Sequence, residues 1–310
     1  NDAHAIRNVF IPECIRKISE SEPNMDVVAN FGIYVVQERE DDIIAMIDRA
    51  QAAKNIVKGG YTNRYAYYDD QLKSKEQKEK EVISRMHRAL ANGEFLVYLQ
   101  PWYDHETGEL VGAEALVRWA HPTRGLLYPV DFIPLFEENG FVAELDRFVW
   151  KQVCAMQRRL SDEGLQTVPV SVNVSRVDLF DPLFKESLFD IVQKEKICPA
   201  MLGIEVTESA FIEDYEQVSD VLRKMGEAGL TLYLDDFGTG YSSLNILKDL
   251  PVDVLKFDMR QMSSNGKDGE KAKNILRSII EMSSSIGVKL VAEGVESKQQ
   301  ADELGKLGCR

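Results

Sequence analysis

From residue 95 onward, short apolar runs recur along the chain and helical patterns separate most of them. Residues 95–103, 110–118, 168–175, 202–207, 231–236, 252–257 and 288–293 predict seven strands. Residues 142–160, 215–228 and 271–286 carry apolar positions at helical spacing between them. Strands alternating with helices predict a mostly parallel sheet with helices outside it, open or closed. Read at period two, the strands keep Val and Leu for one face and polar groups for the other. One face of 110–118 holds Gly112, Glu114, Leu116 and Arg118, and one face of 168–175 holds Ser171, Asn173 and Ser175. Gly203 and Glu205 share a face of the next strand. Asp235 and Asp236 end the fifth strand, Lys256 lies near the end of the sixth, and Glu293 ends the seventh with Glu296 just beyond. If helices cover the apolar face, the polar face lines a barrel whose mouth lies at the C-terminal strand ends.

Before residue 95 the pattern changes. Residues 25–36 contain Val27, Val28, Phe31, Ile33 and Val35 and predict a strand. Over 41–58, Ile43, Met46, Ile47, Ala50, Ala53 and Val57 recur at helical spacing, Asp41 and Asp42 suit the first turn, and Gly59-Gly60 stops the helix. Residues 1–20 predict another helix. Residues 71–90 are rich in Lys and Glu, with Val82, Met86 and Ala89 as a narrow apolar stripe. They read first as an exposed connecting helix laced with charge pairs, and second as a linking or dimerising one. The expected organisation is a small α+β piece over 1–70, a linker helix over 71–90 and an α/β barrel over 91–310.

Composition narrows the function. The chain has 310 residues, 44% hydrophobic and 28% charged, as in soluble globular proteins. Its formal net charge of -14 argues against binding polymeric nucleic acid, which needs basic surface. A small phosphate ligand stays open, because carboxylates that hold divalent cations also hold phosphate through them. No apolar run approaches the ~20 residues that span a bilayer, and no secretory pattern opens the chain, so no membrane contact is expected from this segment. Cys14, Cys154, Cys198 and Cys309 are scattered without a CxxC pair and read as reduced thiols. The expected location is the cytoplasm, either as a free protein or as the cytoplasmic part of a larger or membrane-anchored sensor.

The chemistry follows from residue type. Glu114, Asn173, Glu205, Asp235 and Asp236 all offer oxygen, with no His or Cys among them, which suits Mg²⁺ or Mn²⁺ rather than zinc. Carboxylates gathered this densely repel one another unless cations neutralise them. The Asp235-Asp236 pair can set one carboxylate between two ions about 3.5–4 Å apart, as in two-metal phosphodiesterases. Lys256 and Glu293 then orient or deprotonate the attacking water, and Arg118 pairs with a phosphate oxygen. A lone acidic residue at a strand end is ordinarily solvated or capping; five strands delivering one ligand class to one end, counting Glu293 at the end of the seventh, is the signal. Asp236-Phe237-Gly238 spells a kinase triplet without its companion motifs. Asn173-Val174-Ser175 is discounted as a glycosylation sequon. Residues 238–243 read as a flexible strand-to-helix loop beside the metals.

These motifs resemble the EAL-domain family of cyclic di-GMP phosphodiesterases over about residues 89–309. Gln100-Pro101, Glu114-Ala115-Leu116-Val117-Arg118-Trp119, His121-Pro122, Phe132-Ile133-Pro134 and Leu145-Asp146 follow in family order. Asn173-Val174-Ser175, Glu205-Val206-Thr207-Glu208, Asp235-Asp236-Phe237-Gly238, Lys256 and Glu293-Gly294-Val295-Glu296 complete the set. The resemblance implies a TIM-like barrel, often dimeric, that linearises cyclic di-GMP to pGpG with two Mg²⁺ or Mn²⁺ ions. It implies Glu114, Asn173, Glu205, Asp235, Asp236 and Glu293 as metal ligands, and Glu114, Lys256, Glu293 and Glu208 as the catalytic set, with Glu208 bracing the loop after Asp236. Arg118 would hold phosphate, and Gln100, Asp146 and Glu296 would contact the nucleotide. The first ~75 residues resemble the C-terminal part of a GGDEF-type domain through Ala29-Asn30-Phe31-Gly32-Ile33, Asp48-Arg49-Ala50 and Asn63-Arg64-Tyr65. The GGDEF signature itself is absent, so no cyclase activity is expected.

One departure stands out. The family continues after Gly308-Cys309 into an eighth strand with a Gln-Gly motif, whereas this sequence stops at Arg310. The expected barrel therefore lacks its eighth strand. Two competing readings are a non-catalytic cyclic di-GMP receptor or regulatory module, and a glycosidase-like barrel that uses paired carboxylates without metal.

Overall fold

The computed structural model describes residues 5–21, 29–36, 42–57, 65–212, 214–238, 243–260 and 267–309. The chain forms two compact units, Asn1–Ser84 and Arg85–Arg310, and the helix Asp70–Ala91 carries the division between them.

In the first unit a π-helical turn, Ile6–Phe10, leads into the helix Ile11–Ser21. Strand β1 (Phe31–Ile33) pairs in parallel with β2 (Tyr65–Tyr67), Phe31 opposite Tyr65, and the helix Ile43–Ile56 lies between them in sequence. Asp42 starts that helix. Its carboxylate accepts the N–H groups of Ile44 and Ala45 at 3.0 and 3.1 Å, satisfying donors that the first turn leaves orphaned. Gly32 is required where strand and helix meet, since a Cβ there would stand 1.7 Å from the Ala50 carbonyl oxygen. Ile43, Ile44 and Ile47 remain 68%, 73% and 59% exposed, so two short strands leave much of this helix's apolar surface uncovered. The expected strand over 25–36 is seen only as Phe31–Ile33. Its residues 25–28 and the Gly59-Gly60 stop lie outside the described residues.

The second unit is built on seven principal strands. They are β3 (Phe95–Tyr103), β4 (Leu110–His121), β6 (Val170–Asn173), β7 (Leu202–Thr207), β8 (Thr231–Asp235), β9 (Val254–Asp258) and β10 (Lys289–Glu293), with the short β5 (Gly125–Leu127) paired onto the end of β4. Their order in the sheet is β10-β9-β8-β7-β6-β4-β3. Neighbours from β4 to β10 run parallel, as the alternation predicts. The exceptions are β3 and β4, antiparallel with Gln100 opposite Glu114, and the short β5, antiparallel to β4. The connection between β3 and β4 is too short for a parallel crossover, which needs a dozen or more residues. Instead the Asp104 carboxylate accepts the N–H groups of Glu106 and Thr107 at 2.9 and 2.8 Å and folds the turn.

The period-two reading assigns the faces correctly. Val170, Val172, Leu202, Ile204, Val206, Leu232, Leu234 and Leu255 are buried. They pack with Val149, Trp150 and Val153 of the helix Val142–Asp162 and with Val218, Leu222 and Met225 of the helix Tyr215–Glu227. Each such side chain contributes about 1.5–3 kcal/mol when fully removed from water. The alternate positions face inward. Lys256 of β9 reaches Glu114 of β4 at 2.8 Å although β6, β7 and β8 stand between them in the sheet. Four inter-strand steps of about 4.8 Å would separate these strands by roughly 19 Å in a flat sheet, so the sheet is rolled into a TIM-like half-barrel. Its two edges are β3 and β10.

Candidate active site

The rolled sheet brings six of the predicted residues together. The Lys256 ammonium, buried at 0% exposure, is the hub. Its Nζ lies 2.8 Å from Oε2 of Glu114, 2.7 Å from Oε1 of Glu293 and 3.9 Å from Oδ1 of Asp235, and it donates to Oε1 of Glu205. Ser171 donates to the other oxygen of Glu205 at 2.8 Å, and Nδ2 of Asn173 donates to Oε1 of Glu114 at 3.2 Å. Strand register explains the gathering: Glu114 is level with Ser171, and Asn173 with Glu205.

The floor is aromatic. The rings of Trp102 and Tyr233 meet at 5.3 Å between centroids, and the Lys256 ammonium stands 5.9 Å over Trp102. Glycine makes room for both rings. A Cβ on Gly203 would stand 2.2 Å from the Tyr233 ring, and one on Gly112 would stand 2.7 Å from the Trp102 ring. Above the floor, β8 ends in a bend. Asp236 takes a positive φ of 53°, its N–H donates to Oδ1 of Asp235 at 2.8 Å, and the Phe237 N–H donates to the Lys256 carbonyl at 3.2 Å.

Electrostatics in this cage are crowded. Burial pushes the Glu205 carboxyl up, Lys256 pulls it down, and Glu114 and Asp235 push it up again, leaving it at about 8. Burial also raises Glu293 against the pull of Lys256. For Lys256, burial opposes the charge, but Glu205, Glu114, Asp235 and Glu293 outweigh it and hold the ammonium above its ordinary range. One ammonium cannot balance the four carboxylates around it.

A family model described as the EAL domain matches residues 83–310. The chain belongs to the EAL-domain family. MucR of Pseudomonas aeruginosa PAO1, named a bifunctional diguanylate cyclase/cyclic di-GMP phosphodiesterase, is 29% identical over 308 residues, which cover 99% of this chain and 45% of MucR. NbdA of the same strain, named a cyclic di-GMP phosphodiesterase, is 30% identical over 309 residues, covering 100% of this chain and 39% of NbdA. The chain thus spans less than half the length of these curated relatives. Among solved structures, the PaMucR phosphodiesterase in complex with c-di-GMP superposes with a TM-score of 0.70 at 30% identity, over 74% of this chain and 93% of that one.

Other expected residues of this EAL domain make contacts of their own. Arg118 donates to the Val117 carbonyl at 2.8 Å, with its guanidinium 5.0 Å from the Tyr128 ring and 5.8 Å from the Tyr98 ring. Gln100 is exposed and pairs across the β3–β4 hairpin with Glu114. Glu208 is buried in the tight turn Glu208–Phe211 directly after β7. Glu296 is exposed, and its N–H donates to Gln300 at 2.8 Å. Asp146 is buried and accepts the Ser175 N–H at 3.2 Å. Residues 239–242 of the expected loop lie outside the described residues.

Sequence reasoning left three partners without a role. Ser171 was legible from its place two residues before Asn173. Asp178 was legible as the acidic end of a Ser-x-x-Asp capping box. Trp102 carried no signal, because its relation to Lys256 arises only when the sheet rolls.

The donor set fits divalent cations in kind and in charge: five carboxylates (Glu114, Glu205, Asp235, Asp236 and Glu293) and the Asn173 amide, in excess over one lysine. The Lys256 ammonium holds the central position among Glu114, Glu205 and Glu293.

Proposed function

We propose that this EAL domain hydrolyses cyclic di-GMP to linear pGpG by two-metal-ion phosphodiester cleavage, lowering a bacterial second messenger. The observation that carries this reading is the convergence of Glu114, Glu205, Asp235 and Glu293 on Lys256 at one end of a rolled sheet. The names of MucR and NbdA and the c-di-GMP bound to PaMucR support it.

Glu114, Asn173, Glu205, Asp235, Asp236 and Glu293 would hold two Mg²⁺ or Mn²⁺ ions. When bound, such ions lower the pKa of water and stabilise charge on phosphoryl oxygens. Glu293 takes the proton of the attacking water and Lys256 orients that water. One P–O bond forms to the water oxygen, and the bond from phosphorus to the 3′ oxygen breaks, that oxygen leaving with the bonding pair and taking up a proton from solvent. Arg118 holds a phosphate oxygen, and Gln100, Asp146 and Glu296 contact the nucleotide. Glu208 braces the loop after Asp236. The first unit, with its uncovered helix, is read as the C-terminal part of a GGDEF-type domain, followed by a linker helix. The protein acts as a homodimer through the barrel, in the cytoplasm. Among the described residues no helix is long and apolar enough to cross a membrane.

The test is incubation of the protein with cyclic di-GMP in Mg²⁺, Mn²⁺ or excess EDTA, with nucleotides resolved by chromatography. A linear dinucleotide formed with metal, none with EDTA, and none from a folded Glu114→Ala variant is the expected result. Tight binding without turnover in either ion would replace this reading with a non-catalytic receptor.

A further inference from the structure

Two buried aspartates meet just beyond the cage. Asp146 belongs to the helix Val142–Asp162 and Asp178 to the short helix Arg176–Leu179, and both converge on Ser175, two residues past Asn173. The Ser175 N–H lies 3.2 Å from Oδ2 of Asp146 and 3.3 Å from Oδ2 of Asp178. The Ser175 hydroxyl donates to Oδ2 of Asp178, and the Asp178 N–H lies 3.2 Å from that hydroxyl oxygen. Asp178 is 0% exposed and Asp146 8%. Oδ1 of Asp178 is buried with no hydrogen-bond partner.

The nearby cations are engaged. Arg147, next in the helix, closes on Asp181 at 2.6 Å, and Arg176, on the same turn as Asp178, also makes an interaction. On the β6 side the neighbouring polar groups, Ser171 and Asn173, are neutral. Beyond them Lys256 is held by Glu114, Glu205 and Glu293. Two carboxylates sharing one N–H in a buried site cannot both stay ionised, because each charge is poorly solvated and repels the other.

We propose that Asp178 is a positioning residue, which shares one proton with Asp146 and thereby fixes the Asp146 carboxyl beside the strand end that carries Asn173. Burial first, and then the charge of Asp178 and its hydrogen bond, push Asp146 well above the ordinary carboxylate range. The pair rests on the Ser175 N–H that both carboxylates accept and on the burial of both. Its consequence for substrate rests on the reading above, in which Asp146 contacts the nucleotide. Once the shared proton is lost, the two charges separate and Asp146 leaves its position. The KM for cyclic di-GMP then rises by up to about tenfold per pH unit. Asp178→Asn replaces the shared proton with an amide donor and flattens that rise.

The experiment is a carboxyl-carbon NMR titration of the whole chain, labelled at aspartate, beside pH profiles of kcat and KM. We expect wild type to keep one aspartate proton after the ordinary carboxylates have ionised, and Asp178→Asn to lose it. The mirror variant Asp146→Asn removes the same proton and serves if the first fails to fold. Full ionisation of every wild-type aspartate by about pH 5, near the ordinary range, overturns the pair. A retained proton with KM rising equally in wild type and Asp178→Asn overturns the positioning role. A retained proton in a protein that never turns over cyclic di-GMP leaves the pair standing and removes the functional reading instead.

Discussion

Nζ of Lys256 lies 2.8 Å from Oε2 of Glu114, although the two residues are 142 positions apart in the chain. This one contact joins β9 to β4 across the inside of the rolled sheet and holds a cation at the centre of the carboxylates. Removing that cation should leave the surrounding negative charge uncompensated. Lys256→Met is expected to destabilise the metal-free protein by about 3–5 kcal/mol, the usual cost of breaking a buried ion pair from one side. Mn²⁺ should recover part of the loss, since it supplies the missing charge. Thermal unfolding in EDTA and in Mn²⁺ measures both effects. An unchanged melting temperature in EDTA would contradict the hub role of Lys256.

A half-buried ion pair reports on acid stability. The Arg85 guanidinium holds the Glu94 carboxyl at about 2, with the Trp119 indole and Asn92 acting in the same direction and burial opposing them. A folded value below the unfolded one stabilises the protein above the unfolded value, near 4.5, and that stability is lost as pH falls toward 2. The full difference, from 4.5 to about 2, is worth at most about 3–4 kcal/mol. Glu94→Gln should therefore lose stability at pH 7 and show a flatter stability curve between pH 5 and 2. Chemical denaturation across that range decides it; parallel curves for the two proteins would count against the assignment.

The aromatic floor makes a steric prediction. In Gly203→Ala the new methyl would stand 2.2 Å from the Tyr233 ring, so the ring must move. Overpacking of this kind costs about 1–3 kcal/mol. The double variant Gly203→Ala/Tyr233→Leu should recover stability relative to the sum of its single changes, because the smaller side chain vacates that space. Simple additivity in a double-mutant cycle would refute the contact.

Asp236 combines an unusual backbone with a proposed ligand role, and substitutions separate the two. Its φ of 53° lies in the left-handed region, which Asn tolerates and β-branched residues do not. Asp236→Asn should keep the stability of wild type while losing turnover. Asp236→Val should lose turnover and also about 1–2 kcal/mol of stability. Equal melting temperatures for the two variants would argue against backbone strain at this position.

Much of this protein was legible in order along the chain. Period-two alternation in residues 170–173 and 202–207 separated Val170, Val172, Ile204 and Val206, which face helices, from Ser171, Asn173 and Glu205, which face the cage. Local chemistry alone decided those faces, because a strand has only two sides. The caps at Asp42 and Ser175 were equally local.

Other features depended on residues distant in sequence. The antiparallel pairing of β3 with β4 was not among them, since one short turn and the Asp104 bonds that fold it are local. Trp102 under Lys256, Asp178 against Asp146, and a lysine ringed by four carboxylates needed the tertiary packing. The sequence by itself determined which side chains are acidic and which end of each strand they occupy, since both follow from composition and period. Only the tertiary structure decided which charges touch, because the curvature of the sheet, and not spacing along the chain, sets distances across its interior.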